Sequence, residues 1–117
     1  MSRIERVNET VRREICVIVQ QELGDPRLEF ASITRVEVSR DLRHAKIYFS
    51  VLGDQNCIEQ AENGFEAAKG LVRKLLSQRI RMKFMPELNF IYDKALEYTI
   101  HLDEEIERLK NESQKSS

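Results

Sequence analysis

The sequence predicts a single α+β domain, because three kinds of periodicity follow one another within 117 residues. Apolar residues first recur every three or four positions, which is typical of an amphipathic helix. Apolar and polar residues then alternate in two consecutive stretches, which is typical of paired strands. A second helical stretch, a short third strand and a last helix complete the chain, so we expect helices packed on a three-stranded sheet.

The first helix is predicted over residues 3–23. Ser2 can cap its first turn, and Glu5 stands three positions later as the partner in a capping box. Gly24 and the Asp-Pro pair that follows it end the helix, because glycine favours a helix C-terminus and proline restricts the residue before it. The apolar stripe comprises Ile4, Val7, Val11, Ile15 and Ile18.

Two strands are predicted over residues 32–39 and 45–52, and the polar turn at residues 40–43 makes them an antiparallel hairpin. A third strand is predicted over residues 88–92. On the first strand, alternation places Thr34, Val36 and Val38 on one face and Ile33, Arg35 and Glu37 on the other. On the second strand, it places Ala45, Ile47, Phe49 and Val51 inward and Lys46, Tyr48 and Ser50 outward.

The second helical stretch, residues 57–82, leads into a strongly basic run, residues 67–83, that contains no acidic residue. Gly70 is a weak point in this pattern, since glycine inside a helix costs about 1 kcal/mol relative to alanine. In a helix that began near Gly70, Arg73 and Lys74 would lie in the first turns, where free backbone N–H groups bind anions. The equally weighted alternative is a solvated face of a core helix with a packing glycine. The six cations are Lys69, Arg73, Lys74, Arg79, Arg81 and Lys83.

A last helix is predicted over residues 95–110, followed by a disordered polar tail at residues 111–117, so that the folded domain comprises residues 1–110. The acidic run on this helix is interpreted as a solvated face rather than a cation site. A protein-interaction adaptor that uses the acidic helix is the alternative to a nucleic-acid-binding function. The run comprises Asp103, Glu104, Glu105 and Glu107.

Charge is segregated along the chain, although the formal net charge is only −1. Residues 69–83 sum to +6, whereas residues 52–68 and 84–117 each sum to −4. A folded chain can therefore present a basic face that attracts phosphates. No apolar run approaches the roughly 18 residues that span a bilayer, and the N-terminus lacks an apolar signal core, so we expect a cytoplasmic protein. Nothing in the sequence indicates an obligate dimer, and a monomer is expected.

The sequence offers no catalytic pattern. Neither His44 nor His101 has a cysteine or carboxylate at ligand spacing in a recognisable pattern. The chain contains no phosphate loop, nucleophile elbow or dinucleotide fingerprint. We therefore expect no enzymatic activity, no cofactor and no metal.

The predicted hairpin offers a second candidate surface for RNA. Arg35, Lys46 and Tyr48 share its outward faces. Tyr48 could stack a base, as in sheet-based RNA readers, although an exposed tyrosine more often packs against cross-strand neighbours. The candidate contacts are completed by Arg40 and Arg43 in the turn and by Arg3 and Arg6 at the start of the first helix.

Five segments carry a resemblance: Asp25-Pro26-Arg27-Leu28, residues 33–42, residues 45–48, Ala68-Lys69-Gly70 and residues 86–90. In this order and spacing they resemble the bacterial ribosome-binding factor A family, and the resemblance extends over residues 3–109. The element order is similar to the type II K-homology (KH) fold. The resemblance implies the order α-β-β-α-kink-α-β-α, with the kink at Ala68-Lys69-Gly70. The family has Ala-x-Gly there in place of the Gly-x-x-Gly loop with which ordinary KH domains grip nucleotides.

The resemblance also implies a function. Proteins of this family are small, cytoplasmic and non-enzymatic, and they bind the free small (30S) ribosomal subunit and assist late maturation and processing of its 16S ribosomal RNA. The expected partners are therefore that subunit and that RNA. An RNA-facing role is carried over to Lys69, Gly70, Arg73 and Lys74, and in second place to Arg79, Arg81 and Lys83.

Overall fold

The computed structural model describes residues 2–94, which form two α-helices and a three-stranded sheet. The elements are α1 (Arg3–Gln21), a short 3-10 helix (Pro26–Leu28), β1 (Ala31–Val38), β2 (His44–Val51), α2 (Gln55–Arg79) and β3 (Glu87–Tyr92). The predicted α+β class and three-stranded sheet are confirmed. The predicted last helix, its acidic run and the polar tail lie outside the described residues.

Helix α1 begins and ends close to where its sequence signals predict. The Ser2 hydroxyl accepts a hydrogen bond from the backbone N–H of Glu5 at 3.2 Å, and a Glu5 carboxylate oxygen accepts one from the N–H of Ser2 at 3.4 Å. This capping box satisfies two of the free N–H groups at the helix start. The helix ends at Gln21, and Gly24 then adopts a positive φ of 58°, which favours glycine. Its buried face is formed by Val11, Ile15 and Ile18.

Strand β1 contains a bulge that the alternating pattern does not predict. It pairs antiparallel with β2 in regular register from Arg35, opposite Tyr48, to Val38, but the register shifts between Ile33 and Arg35. Because side chains alternate with a period of two, the extra residue inverts the faces of the strand before the bulge. Ile33, predicted on the same face as Arg35, is instead buried at 8% exposure. The prediction for Ile33 is wrong, whereas the alternation beyond the bulge is as predicted.

Helix α2 runs as one helix across Ala68-Lys69-Gly70, so the prediction of two separate helices that meet there is wrong. The apolar stripe that contains Phe65 continues after the glycine to Leu76, and both side chains are fully buried. Burying one such side chain contributes about 1.5–3 kcal/mol, which exceeds the roughly 1 kcal/mol cost of a helical glycine. The backbone N–H groups near Gly70 lie in the middle of a helix, and they are not the free groups that a helix start would offer.

Helix α2 connects β2 to β3 and covers one face of the sheet. The two strands pair in parallel over six residue pairs, and a parallel pair needs a crossover of this kind. The ring of Phe65 lies 4.7 Å from that of Phe49 and stacks 4.6 Å from that of Phe90, which fixes the helix on the central and third strands. The starts of β2 and β3 therefore lie together, at the end of the sheet where the hairpin turns.

Candidate nucleic-acid interface

Three segments that are far apart in the sequence meet at one end of the domain. The side-chain carbonyl of Asn8 accepts a 2.8 Å hydrogen bond from the backbone N–H of Val38, which holds the first turns of α1 beside the end of β1. The backbone carbonyl of Arg43 accepts a 2.8 Å hydrogen bond from the N–H of Glu87. The link between α2 and β3 therefore arrives at the same end as the hairpin turn and the start of α1.

A groove of about 200 Å³ lies between the first turns of α1 and the residues that follow α2. Its basic side chains are Arg3, Arg6 and Arg81, and the fully buried Val11 forms part of its apolar lining. A second hollow of about 300 Å³ runs from Arg3 to Arg40 in the hairpin turn. Arginines from three separate segments thus line two concave surfaces that share Arg3 and Val7.

The hairpin turn is held in one shape by hydrogen bonds to the carboxylate of Asp41. That carboxylate accepts from the Ser39 hydroxyl at 2.6 Å and from the backbone N–H of Arg43 at 3.1 Å. The hydrogen bond from Ser39, followed by the one from Arg43, lowers the pKa of Asp41. Leu42 adopts a positive φ of 62°, which completes the turn. The side chains of Arg40 and Arg43 are exposed on this fixed turn.

Exposed cations are concentrated at this end of the domain, and we call the surface that they form the basic pole. Residues 2–7, 39–44 and 80–87 contain six cations and three carboxylates. All six cations are exposed, and none forms an ion pair with another residue in the range 2–94. Their charge is available to a ligand. The six are Arg3, Arg6, Arg40, Arg43, Arg81 and Lys83.

The predicted basic face of α2, in contrast, is largely engaged within the domain. The guanidinium of Arg73 donates from Nη2 to the backbone carbonyl of Met85 at 2.9 Å and from Nε to that of Pro86 at 3.1 Å. The ammonium of Lys69 lies 3.3 Å from a carboxylate oxygen of Glu66. The charges of Arg73 and Lys69 are therefore already engaged by groups of the same chain.

Arg79 also acts within the domain, because its guanidinium joins α2 to α1. It lies 3.4 Å from a carboxylate oxygen of Glu14 and 3.1 Å from one of Glu22. Lys74 differs from these residues, since it is exposed and has no ion pair among the residues that the structure describes. Of the four predicted cations on α2, Lys74 alone has neither a carboxylate nor a carbonyl partner among the described residues.

The outer face of the hairpin carries a side-chain network rather than an open aromatic ring. The guanidinium carbon of Arg35 lies 3.9 Å from the ring centroid of Tyr48, and the same guanidinium forms ion pairs with Glu37 at 2.7 Å and Asp93 at 3.7 Å. Tyr48 donates a 3.3 Å hydrogen bond to Glu37, and burial, followed by the charge of Glu37, raises the pKa of Tyr48. Lys46 stands opposite Glu37 in the register. One face of the Tyr48 ring is therefore already covered by Arg35.

Phe84 is a candidate contact that the sequence analysis missed. The side chain is 70% exposed, and the ammonium of Lys83 lies 5.7 Å from its ring centroid. The signal was present in the sequence as an aromatic residue beside Lys83 and near Arg81. Interleaved basic and aromatic residues are typical of surfaces that bind single-stranded nucleic acid.

Residues 2–94 indicate no other site chemistry. Among them, no three His, Cys, Asp or Glu side chains lie together in a way that could hold a metal ion. No helix in this part of the chain is long and apolar enough to cross a membrane. Both cysteines are free, and burial raises the pKa of Cys16. The basic pole is thus the main chemical feature of the described surface.

The order of the elements and the mixed sheet define an α+β domain of the type II KH-like class, with six exposed cations that lack an ion pair in the described range at one end. A sequence model of the family described as Ribosome-binding factor A matches residues 3–106 of the chain. The chain belongs to the ribosome-binding factor A family.

Individual relatives agree with this assignment. Ribosome-binding factor A of Halothermothrix orenii is 40% identical over 112 residues, which cover 96% of this chain and 92% of that protein. The Chloroflexus aurantiacus protein of the same name is 40% identical over 111 residues, covering 94% and 87%. Similarity at this level extends over nearly the whole length of both relatives.

Two solved structures share the fold. The crystal structure of ribosome-binding factor A from Thermus thermophilus matches with a TM-score of 0.71 and 23% identity, covering 78% of this chain and 97% of that chain. A homology model of the Thermus thermophilus factor, fitted into a cryo-electron-microscopy map of its complex with the 30S subunit, matches with a TM-score of 0.63 and 25% identity, covering 74% and 91%.

Proposed function

We propose that this protein is a non-enzymatic assembly factor that binds the free small ribosomal subunit. It holds the RNA of the subunit in position during late maturation, including the processing of 16S ribosomal RNA. Membership of the ribosome-binding factor A family supports a ribosomal partner. The Thermus thermophilus relative that was fitted into a 30S complex supports the small subunit as that partner. The protein acts as a monomer in the cytoplasm.

The observation that carries the RNA-binding function is the basic pole. Arg3, Arg6 and Arg81 line one groove, so several guanidinium groups can contact neighbouring phosphates at the same time. A guanidinium donates two parallel hydrogen bonds to a phosphate and remains charged at every physiological pH. Contacts of this type position an RNA strand without reading its sequence.

The basic pole is the primary RNA contact in this proposal, and Lys74 on α2 extends it. A cation that already has a carboxylate or carbonyl partner must give up that partner before it can bind a phosphate, which offsets part of the gain. The predicted cations that already have such a partner therefore contribute mainly to the fold, and they are Arg35, Lys69, Arg73 and Arg79. Gly70 carries no charge, and Lys46 lies opposite Glu37 in the strand register without an ion pair in the described range.

Sedimentation of the full-length protein with free small subunits and with whole ribosomes tests the function. We expect association with free subunits that weakens steeply as salt rises, because each phosphate contact releases counterions. Reversing two charges of the pole, Arg6→Glu with Arg81→Glu, should weaken binding. It should also lower the slope of log affinity on log salt by about 2, or about 1 for each lost contact.

A matched control separates the pole from net charge. Arg27→Glu changes the charge by the same amount as Arg81→Glu, but it lies beyond the C-terminal end of α1, opposite the pole. This variant should bind like the wild type. If Arg27→Glu and Arg81→Glu weaken binding to the subunit equally, the basic pole is not the RNA contact. Persistent binding to whole ribosomes would contradict the proposal that the protein is an assembly factor. A flat salt response would favour the protein-interaction adaptor.

A further inference from the structure

Phe84 is exposed although the residues around it are fixed. It lies in the link of residues 80–86 between α2 and β3, and 70% of its side chain faces solvent. Met82 and Met85, two positions before it and one after it, pack against the hydrophobic core. Pro86 is among the fully buried residues, with less than 2% exposure. The ring therefore projects from a segment that is anchored on both sides.

Arg73 adds a polar anchor to the same segment. Its two hydrogen bonds to the carbonyls of Met85 and Pro86 fix the backbone directly after Phe84. A large aromatic side chain that remains exposed on such a backbone is held in place by the fold and can offer a fixed ring face to a ligand.

Cations surround the ring. The ammonium of Lys83 lies 5.7 Å from the ring centroid. Arg81, three residues before Phe84, lines the groove that it shares with Arg3 and Arg6. Three residues span at most about 11 Å, so the backbone of Phe84 lies within that distance of the backbone of Arg81 at the groove. The surface thus offers an apolar ring face next to sites for negative charge.

We propose that Phe84 is a stacking platform for an unpaired RNA base, and that the phosphates next to this base bind in the groove of Arg3, Arg6 and Arg81. This inference rests on the proposed RNA-binding function and specifies the kind of RNA that the pole takes. A base inside a duplex has no free face, whereas a base in a single strand or loop can stack on an aromatic ring. Every base has such a face, so the platform tolerates any sequence.

Charge complementarity favours RNA over other molecules that could bind against the Phe84 ring. A second copy of this chain would bring its own basic pole against the first, and like charges repel. An uncharged apolar partner would leave Lys83 and Arg81 without a counter-charge at its edge. A single RNA strand supplies both the flat apolar surface and the negative charge.

A fluorescent variant reports on the platform directly. The chain contains no tryptophan, so Phe84→Trp places one indole at this position and nowhere else. A single-stranded RNA of about ten nucleotides, which is within the site sizes of stacking proteins, should quench its emission. The same RNA annealed to its complement, or inorganic polyphosphate, should cause little quenching, because neither presents a free base.

Affinity measurements on the full chain complete the test. Phe84→Ala should weaken binding of the single strand about tenfold or more, in line with the cost of losing one stacked base, while its unfolding midpoint stays unchanged. Phe84→Leu keeps an apolar side chain without a flat ring and should weaken binding nearly as much. Phe84→Tyr keeps the ring and should bind like the wild type.

The outcomes separate this inference from the function on which it rests. If the wild type binds single-stranded RNA and the alanine variant binds equally tightly, the stacking platform is overturned and the RNA-binding function stands. Retention of full affinity by the leucine variant would also overturn stacking. Emission typical of a buried indole before RNA is added would show that the chain itself covers the ring, and would overturn the proposal too. If the wild type binds neither the RNA nor free small subunits, the function and the platform fail together.

Discussion

The Nη2 of Arg73 donates a 2.9 Å hydrogen bond to the backbone carbonyl of Met85. The Nε of the same guanidinium donates to the carbonyl of Pro86 at 3.1 Å. A residue from the basic run of α2 therefore closes the link that leads to β3. Its charge is directed into the domain, so a loss of RNA binding on its substitution would report a change in the link as well as a lost cation.

Replacing Arg73 should destabilise the domain. Arg73→Ala is expected to lower the free energy of unfolding by about 1–3 kcal/mol, because two carbonyls lose a charged donor. Lys74→Ala is the matched control, since Lys74 is an exposed neighbour without an ion pair in the described range 2–94, and its effect should stay within about 0.5 kcal/mol. Urea unfolding followed by circular dichroism measures both. Equal effects of the two substitutions would contradict the role given to Arg73.

Two glycines of α2 should respond in opposite ways to the same substitution. At Gly70, an added Cβ meets no heavy atom within 4 Å beyond its chain neighbours and the backbone of its own helix, so Gly70→Ala should stabilise the helix by up to about 1 kcal/mol. At Gly64, an added Cβ would lie 2.9 Å from Cδ2 of the buried Leu28, so Gly64→Ala should destabilise by about 1–3 kcal/mol. Thermal unfolding measures both changes. A loss of stability in Gly70→Ala would show that the helix requires glycine at this position, as the predicted kink would.

The cap of α2 should make stability depend on pH in the acid range. The carboxylate of Asp54 accepts a 3.0 Å hydrogen bond from the backbone N–H of Cys57, and this bond lowers the pKa of Asp54 below its ordinary value. A group whose pKa is lower in the folded state stabilises the fold above its unfolded pKa, about 3.9 for aspartate, and this stabilisation is lost as the pH falls through the folded pKa.

Substitution of Asp54 isolates the contribution of its carboxylate to the pH dependence of stability. Asp54→Asn keeps a capping oxygen but cannot titrate, so its urea midpoint should fall less than that of the wild type between neutral pH and pH of about 3. Asp54→Ala should show a lower midpoint already at neutral pH, because the cap is lost. Parallel curves for the wild type and Asp54→Asn would show that this carboxylate does not couple to folding.

Reversing the charge of Arg79 should weaken the contact between the helices. Arg79→Glu places a third carboxylate beside Glu14 and Glu22, and we expect a loss of about 1 kcal/mol in the free energy of unfolding. The loss should shrink at about 1 M salt, where the Debye length is only about 3 Å. Adding Glu14→Lys and Glu22→Lys to this variant should restore stability at low salt. A loss that the added lysines do not reverse would point to packing of the Arg79 stem.

Local signals were sufficient to predict most elements, because they join residues that are close in the sequence. The capping box of Ser2 and Glu5 and the turn at Asp41 are of this kind. The bulge beside Ile33 has no periodic signal, since it is defined by the pairing with β2. The prediction of a new helix start near Gly70 relied on the low helix preference of glycine. Core packing on both sides of Gly70 outweighs this preference, so the helix continues.

The site was predictable only as a set of cations. Arg3, Arg6 and Arg81 were all predicted contacts, but their meeting around one groove depends on the path of the folded chain. The engagement of Arg79 likewise depends on Glu14, which is 65 residues earlier. Which arginines are free and which are paired is therefore a tertiary property that a run of basic residues does not reveal.

The parallel pairing of the central strand also constrains the order of folding. β2 can pair with β1 as soon as both strands of the hairpin have been synthesised. Its other edge stays unpaired until β3 follows, because His44 of β2 pairs with Glu87, 43 residues later. Contacts over such separations form slowly, and an unpaired strand edge is prone to associate with other chains. During synthesis the hairpin thus emerges with one unpaired edge. Docking of α2 brings β3 to that edge and pairs it, which removes the exposed edge.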